Sequence, residues 1–235
     1  MDFLLVKLKA PATLGDELRS LYVNRIGLEP MISDDNSDLL SVRIGRATLG
    51  FARAAPGTSP FYHYALLVPG DRFEAAHAWL GSILELLPDP NTGGTVFDFD
   101  NWGALACYFT DPTGNIVEVI AHIGMANNGA AGTFSPEEFV GFSELGLVVS
   151  DKRKAATLLS KEGDLQVWDG EVEQPGRLVF VGEPARTLIL SPPGRPWLPT
   201  DRSAYPHPLQ VVLTGTREYS VNLLNSRQLI EVRPG

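Results

Sequence analysis

The sequence of 235 residues contains one cysteine, Cys107, and no long uncharged apolar stretch. A single thiol cannot form an intrachain disulfide, so a disulfide-stapled secreted fold is excluded and a reducing, cytoplasmic location is expected. No segment approaches the ~18 consecutive apolar residues of a membrane-spanning helix. The first residues lack the basic region and long apolar core of a secretion signal, so we expect no signal peptide.

Basic residues are also few. Nineteen Lys and Arg stand against 28 Asp and Glu, which gives a net charge of −9 and a sequence pI near 4.9. The densest basic cluster, at 152–154, opens a predicted helix and fits a solvated face. Because nucleic-acid binding requires a basic stripe or patch, that class of function is excluded. A glycine-rich phosphate loop and a Gly-x-Ser-x-Gly elbow are absent as well, which argues against nucleotide-binding and serine-hydrolase classes.

The chain does contain a repeated order of elements. A strand-like run at 3–8 and another at 62–68 are each followed by a segment of helical period, at 17–26 and 73–87, and then by short β-rich runs. A third unit begins at 142–149 with a helix at 151–161. The fourth piece is shorter and leaves no room for a helix.

A small, polar segment at 124–135 is the best linker in the chain. We therefore predict a first lobe of paired modules and a second lobe with one full and one abbreviated module. The predicted boundaries are 1–55 and 60–125 for the paired modules (lobe 1–125), 126–137 for the linker, and 138–192 and 203–235 for the second lobe (138–235).

The segment 108–119, Tyr-Phe-Thr-Asp-Pro-Thr-Gly-Asn-Ile-Val-Glu-Val, resembles the closing hairpin of the vicinal oxygen chelate superfamily, F-x-D-P-x-G-N-x-hydrophobic-E. That superfamily includes glyoxalase I, extradiol dioxygenases, and fosfomycin and bleomycin resistance proteins. Residues 21–28 resemble its first helix end. The resemblance implies an α+β fold of repeated βαβββ modules paired into half-open barrels, in two lobes. It also implies a divalent metal that chelates two adjacent substrate oxygens.

In the second unit, the family's ligand positions hold His63 on the first strand and Glu118 on the last. Strand alternation places Glu118 on the same face as Ile116 and Ile120, where a carboxylate needs a partner. Imidazole and carboxylate suit Fe, Mn, Ni or Zn without choosing among them. A hydrogen-bonded core histidine is the alternative for His63. The first unit offers Phe3 at the corresponding position and no acid in its last strand, so two ligands would make a weak site.

A second set of ligands is suggested by the second lobe. Alignment of 146–149 with 65–68 places Glu144 at the His63 position, while His207 and Glu231 occupy family-like positions in the fourth piece. These three residues predict a separate metal site. Against it, Pro206 and Pro208 fit a loop around His207, and exposed glutamates are common.

Tyr64 and His122 are the candidate catalytic residues that accompany the metal. A tyrosine hydroxyl can donate to a substrate oxygen, and His122 follows the same alternation as Glu118 and could carry protons. Strand packing for Tyr64 and a water-exposed strand end for His122 are the structural alternatives. The Pro-rich segment at 192–197 is expected to form a lid or crossover, in which Arg195 and Trp197 line a pocket.

Two functions with a small-molecule site remain open, beside a structural or regulatory protein that has no such site. The resemblance implies a metal-dependent enzyme of the glyoxalase or extradiol dioxygenase type, acting on a small-molecule substrate with adjacent oxygens. The alternative is a metal-free small-molecule binding or sequestering protein of the bleomycin-resistance type. Three or more converging His and Glu side chains at one centre would favour the enzyme, and two or fewer the binder. We expect neither nucleic acid nor a membrane as a partner. A homodimer is expected by analogy with the superfamily.

Overall fold

The computed structural model describes residues 1–32, 35, 37–125, 127–215 and 218–223, and the backbone alone of 230–234. In each of the first three modules, a strand is followed by a helix and then by further strands, as the repeated pattern predicts. The elements are β1 (Asp2–Ala10), α1 (Gly15–Arg19, continued by a π-helical Ser20–Arg25), β2 (Asp38–Ile44), β3 (Ala47–Arg53), β4 (His63–Leu67), α2 (Phe73–Ile83), β5 (Phe97–Phe99), β6 (Ala104–Thr110), β7 (Ile116–His122), β8 (Gly141–Val148), α3 (Lys152–Gly163), β9 (Val167–Asp169), β10 (Val179–Glu183), β11 (Arg186–Ser191), β12 (Leu209–Thr214), β13 (Glu218–Leu223) and β14 (Ile230–Pro234).

The strands form two mixed sheets. The six-stranded sheet has the order β14-β13-β12-β1-β3-β2 and the eight-stranded sheet the order β5-β6-β7-β4-β8-β11-β10-β9. In the first three modules the first strand pairs in parallel with the last, and two modules join through their first strands, β1 with β12 and β4 with β8, in antiparallel fashion. The predicted α+β fold of repeated modules in two lobes is confirmed. The fourth module has no helix among its described residues.

The pairing of modules differs from the sequence expectation. The first module shares a sheet with the fourth, and the second with the third, so the expected pairing of 1–55 with 60–125 is wrong, and the expected linker lies within the eight-stranded lobe. The physical reason is burial. Strands β4 and β8 are buried on nearly every residue, whereas β1 and β12 alternate buried and part-exposed residues. Strands that need both faces covered pair with each other at the centre of the more enclosed sheet.

The eight-stranded sheet separates two apolar clusters. Its Tyr64 and Leu66 belong to the main core, which also includes Val6 and Leu8 of the six-stranded sheet and residues of the helices. The opposite face carries a smaller cluster that includes Ala65 and Ile120. Because side chains alternate along β4, His63 lies on the side of the smaller cluster. No helix among the described residues is long and apolar enough to cross a bilayer.

Candidate metal centre

The turn at 111–115 sets the position of Glu118. The Asp111 carboxylate accepts hydrogen bonds from the backbone N–H groups of Thr113 (2.9 Å) and Asn115 (3.0 Å), and Gly114 adopts φ +80°, a conformation that glycine reaches without steric cost. This rigid turn joins β6 to β7 in a register that places Tyr108 directly opposite Glu118. The turn residues of the hairpin motif, 111–115, are therefore structural, and they fix the register that positions Glu118.

Three of the predicted ligands converge on one side of β4. Ala65 is paired with Glu118 of β7 on one side and with Glu144 of β8 on the other, and His63 lies two residues earlier on the same face. One ligand atom from each of His63, Glu118 and Glu144 lies within 4.8 Å of the other two. The three residues are 5%, 2% and 5% exposed, so they form a buried cluster.

Neighbouring groups orient the imidazole and one carboxylate. His63 Nδ1 lies 3.1 Å from the Ile116 carbonyl oxygen, and donation to that oxygen leaves Nε2 as the free acceptor, 3.5 Å from Glu118 Oε2. The Tyr108 hydroxyl acts as a hydrogen-bond donor to the Glu118 carboxylate, and its ring is stacked on the His63 ring at 6.3 Å between centroids. Such outer partners are typical of histidine and carboxylate metal ligands.

Burial without a counter-charge disfavours the charged form of all three groups. Desolvation raises the pKa of Glu118 well above its usual value, and the adjacent Glu144 raises it further. Desolvation also raises the pKa of Glu144 to about 7 and lowers the pKa of His63 to about 4. Among the described residues, neither carboxylate has a Lys or Arg partner. A divalent cation would supply the missing charge, and a neutral imidazole with two carboxylates fits Fe, Mn, Ni or Zn.

A fourth ligand position is occupied by an apolar residue. Gly146 of β8 pairs with Ile189 of β11 in the same parallel arrangement by which Ala65 of β4 pairs with Glu118. Ile189 is buried in the smaller apolar cluster and has no donor atom. The cluster thus offers three side chains that could hold a metal, the number of protein ligands that leaves coordination positions open in catalytic sites.

The second predicted site does not form around Glu144, which belongs to the cluster with His63. His207 precedes β12, and its ring lies 5.9 Å from the rings of Phe61 and Tyr62, outside the cluster that holds Glu144. Glu231 is on β14, and its side chain lies outside the described residues.

The six-stranded sheet has no counterpart of the ligand set at the matching positions. Lys7 pairs with Gly50 and Gln210 as Ala65 pairs with Glu118 and Glu144. On this face of the six-stranded sheet, neither partner of Lys7 has a carboxylate. Phe3, the residue expected opposite His63, lies in the main core.

The two predicted catalytic residues lie away from the cluster. The Tyr64 hydroxyl, on the opposite face of β4, is 2.5 Å from the Tyr22 hydroxyl, which donates to Asp111 Oδ2 at 2.9 Å. His122 shares a face with Glu118 but follows it by four residues, about 13 Å along a strand. His122 is buried rather than exposed and forms a hydrogen bond with the Trp102 backbone. Its Nε2 atom has no partner among the described residues.

The Pro-rich segment covers the cluster. Trp197 is 3% exposed, and its ring lies 4.9 Å from the His63 ring. Gly146 makes room for it, because a Cβ there would come within 2.8 Å of the Trp197 ring. The expectation that Trp197 lines the site agrees with this placement. Sequence reasoning missed Tyr108, although the symmetric turn at 111–115 places it opposite Glu118.

Aromatic side chains also bring the two edges of the eight-stranded sheet together. Trp102, next to β5, lies 4.7 Å from Phe180 and 5.5 Å from Trp168, measured between ring centroids. Its indole N–H donates to Asp169 Oδ2 at 3.0 Å. These contacts narrow the opening of the half-barrel, so the cluster lies inside an enclosed, largely aromatic interior.

Comparison with known proteins gives structural matches alone. No family model matches the sequence, and no curated protein matches it. A provisionally named dioxygenase from Bacillus subtilis subsp. subtilis strain 168 matches with a TM-score of 0.58 at 14% identity, over 97% of this chain and 83% of that one. Glyoxalase I from Zea mays matches with a TM-score of 0.51 at 12% identity, over 98% of this chain and 91% of that one. With its paired modules in two lobes, the chain has the fold of these two structures, a glyoxalase I and a provisionally named dioxygenase.

Proposed function

We propose that the protein is a metal-dependent enzyme of the glyoxalase or extradiol dioxygenase type that acts on a small substrate with two adjacent oxygens. The observation that carries the proposal is the buried cluster of His63, Glu118 and Glu144. Two adjacent buried carboxylates without a cation are costly for a fold, so a binding role explains an arrangement that stability does not. Fe, Mn, Ni and Zn are the candidate metals.

Each residue of the site has a distinct task. His63 Nε2 and the two carboxylates would hold the metal, which when bound supplies a Lewis acid for two neighbouring substrate oxygens. The Ile116 carbonyl keeps the His63 proton on Nδ1, and the Tyr108 hydroxyl orients Glu118. Trp197 and the rings around Trp102 exclude water from the interior, which strengthens electrostatic interactions there.

Elemental mass spectrometry tests the proposal. The purified protein is incubated anaerobically with Fe(II), Mn(II), Ni(II) or Zn(II), desalted and analysed for bound metal. We expect about one equivalent per chain, as three protein ligands predict, and its loss in His63→Ala and Glu144→Gln. Glu74→Gln, an exposed position on α2, is the control and should retain metal. Failure of the wild type to retain any of the four metals would contradict the proposal.

A metal-free binding protein of the bleomycin-resistance type is the second candidate. Two observations favour it: the fourth ligand position is the apolar Ile189, and aromatic rings narrow the interior. Under this alternative, the same experiment would yield no bound metal, while small aromatic ligands would still quench tryptophan fluorescence.

The remaining expectations concern partners and location. We propose a small-molecule substrate as the ligand, with neither nucleic acid nor membrane as a partner, since the net charge is −9. Cys107 is a buried free thiol, as fits the cytoplasm. A homodimer is proposed by analogy alone.

A further inference from the structure

The segment that covers the metal centre, residues 194–204, is a small hairpin, here called the strap. Its two arms are joined by backbone hydrogen bonds from Gly194 to Ala204 and from Ala204 to Arg195, both 2.8 Å, and from Trp197 to Arg202, 3.0 Å. Pro196 and Ser203 form an antiparallel bridge between the arms. The strap is therefore an ordered element with two distinct faces.

One face of the strap points toward the metal centre. Residues opposite each other and residues two apart share a face in an antiparallel pair. Arg195, Trp197, Arg202 and Ala204 are therefore on the same side. Trp197 and Ala204 are buried in the apolar cluster beside His63, which identifies this side as the inner one. Two arginines thus flank the tryptophan that covers the centre.

The two arginines have different environments. Arg202 is occupied: its guanidinium lies 3.6 Å over the Phe61 ring and donates to the Gly114 carbonyl. Arg195 is part-buried and makes one hydrogen bond, from Nη1 to the Pro196 carbonyl at 2.9 Å. A guanidinium has five N–H donors, so most of its hydrogen-bonding capacity is unused by the described residues.

The charge of Arg195 is also uncompensated. It forms no ion pair with Glu118, Glu144 or any other carboxylate of the described residues. Its pKa is lowered by burial and by the like charge of Arg177, and its own charge lowers the pKa of His63. In a chain with a net charge of −9, a part-buried cation beside another cation and away from every described carboxylate is available to pair with an anion from outside the chain.

We propose that Arg195 binds an anionic group of the substrate, a carboxylate or a phosphate or phosphonate, while the adjacent oxygens of the same molecule reach the His63 cluster. This inference rests on the proposed function for the identity of the bound molecule as substrate. It assigns the substrate class as anionic, and it makes Arg195 the residue that recognises the charge. Bidentate pairing of a guanidinium with such anions gives both strength and orientation.

Calorimetric titration of the metal-free full chain with inorganic phosphate, at constant ionic strength, tests the proposal. We expect saturable binding that Arg195→Gln weakens by about tenfold or more, the range expected for loss of a charge-assisted pair. Arg153→Gln is the control, because Arg153 is exposed and paired with Glu173. Titration with benzoate and with neutral benzamide distinguishes carboxylate from phosphate recognition. Equal binding by wild type and Arg195→Gln, or no saturable binding of either anion, would overturn the proposal.

Two further measurements test the anion site if Arg195→Gln does not fold, and they distinguish failure of the anion site from failure of the proposed enzyme function. In the wild type, the preferred anion should protect Arg195 from modification by phenylglyoxal more than it protects Arg153, as peptide mass spectrometry would show. Equal protection contradicts the inference. Arg195→Gln should still retain metal. If the wild type binds anion through Arg195 but retains no metal, the proposed enzyme function fails while the anion site stands.

Discussion

Glu118 and Glu144 lie opposite the same residue, Ala65, from the two strands that flank β4. They come from different modules, and the antiparallel pairing of β4 with β8 brings them together. The small side chain between them leaves the space in which their carboxylates and the His63 imidazole meet. The ligand set is consequently a property of the module pair rather than of either module.

The contribution of Glu144 to the stability of the metal-free protein should fall as the pH rises. The pKa of Glu144 is about 7 in the folded protein and close to 4.5 when unfolded, so its favourable contribution is present below pH 4.5 and is lost as the pH rises through 7. Glu144→Gln should therefore stabilise the metal-free protein at pH 8, by roughly 3 kcal/mol, and by much less at pH 5. Denaturant unfolding at both pH values measures this, with Glu74→Gln as control. An equal effect of Glu144→Gln at pH 5 and pH 8 would contradict it.

Removal of the Tyr108 hydroxyl should weaken metal binding. Tyr108→Phe removes the donor that orients Glu118, and loss of such an outer partner typically costs 10–100-fold in metal affinity. Competition with a chromogenic chelator gives the dissociation constant. The matched change Tyr205→Phe, at an exposed tyrosine, should leave it unchanged.

The opposite outcome is expected for Tyr64. Its hydroxyl bonds to Tyr22 in the main core, so Tyr64→Phe should lower the free energy of unfolding by about 1–2 kcal/mol and leave metal content at the wild-type level. Thermal unfolding and elemental analysis of the same sample separate the two effects. Loss of metal with an unchanged free energy of unfolding would mean that Tyr64 does take part in the metal site.

A methyl group at Gly146 should displace Trp197, the residue that covers the candidate metal centre. In Gly146→Ala, the new Cβ would come within 2.8 Å of the Trp197 ring, an overlap that typically costs about 1–3 kcal/mol. We expect lower stability and faster extraction of bound metal by EDTA. Gly94→Ala, where a Cβ meets nothing closer than 3.5 Å, is the control. Unchanged extraction kinetics in Gly146→Ala would mean that Trp197 does not limit access.

Local signals in the sequence predicted much of this structure. The helices at 73–83 and 152–163 and the hairpin after Phe109 follow from helical periodicity and from turn chemistry. The candidate ligands His63 and Glu118 follow from the resemblance to the superfamily's ligand positions, and Glu144 from the alignment of its strand with that of His63. Each of these inferences depends on residues that are close in the sequence.

The pairing of modules is a long-range property, and for this reason the ligands were first divided between two sites. One clue lay in the sequence: Lys7 and Lys9 alternate with Val6 and Leu8 on β1, whereas the residues of β4 are nearly all apolar. That contrast distinguishes a sheet with one open face from a sheet buried on both. Tyr64 directly follows His63 on β4, so strand alternation alone places its side chain on the opposite face, where its hydroxyl lies 2.5 Å from that of Tyr22.

The six-stranded sheet takes its strands from both ends of the chain and the eight-stranded sheet from the middle. This arrangement affects the order in which the sheets can form during synthesis. The eight-stranded sheet uses residues 63–191, so all three candidate metal ligands precede β12 in the chain, whereas β1, which pairs with the nearby β3, has its second partner, β12, about 200 residues downstream. Contacts of such long sequence separation form late. The strap lies in the connection from β11 to β12, so both ends of the segment that carries Trp197 are fixed once β12 has paired with β1. The pairing that completes the six-stranded sheet therefore also fixes one end of the segment that covers the candidate metal centre.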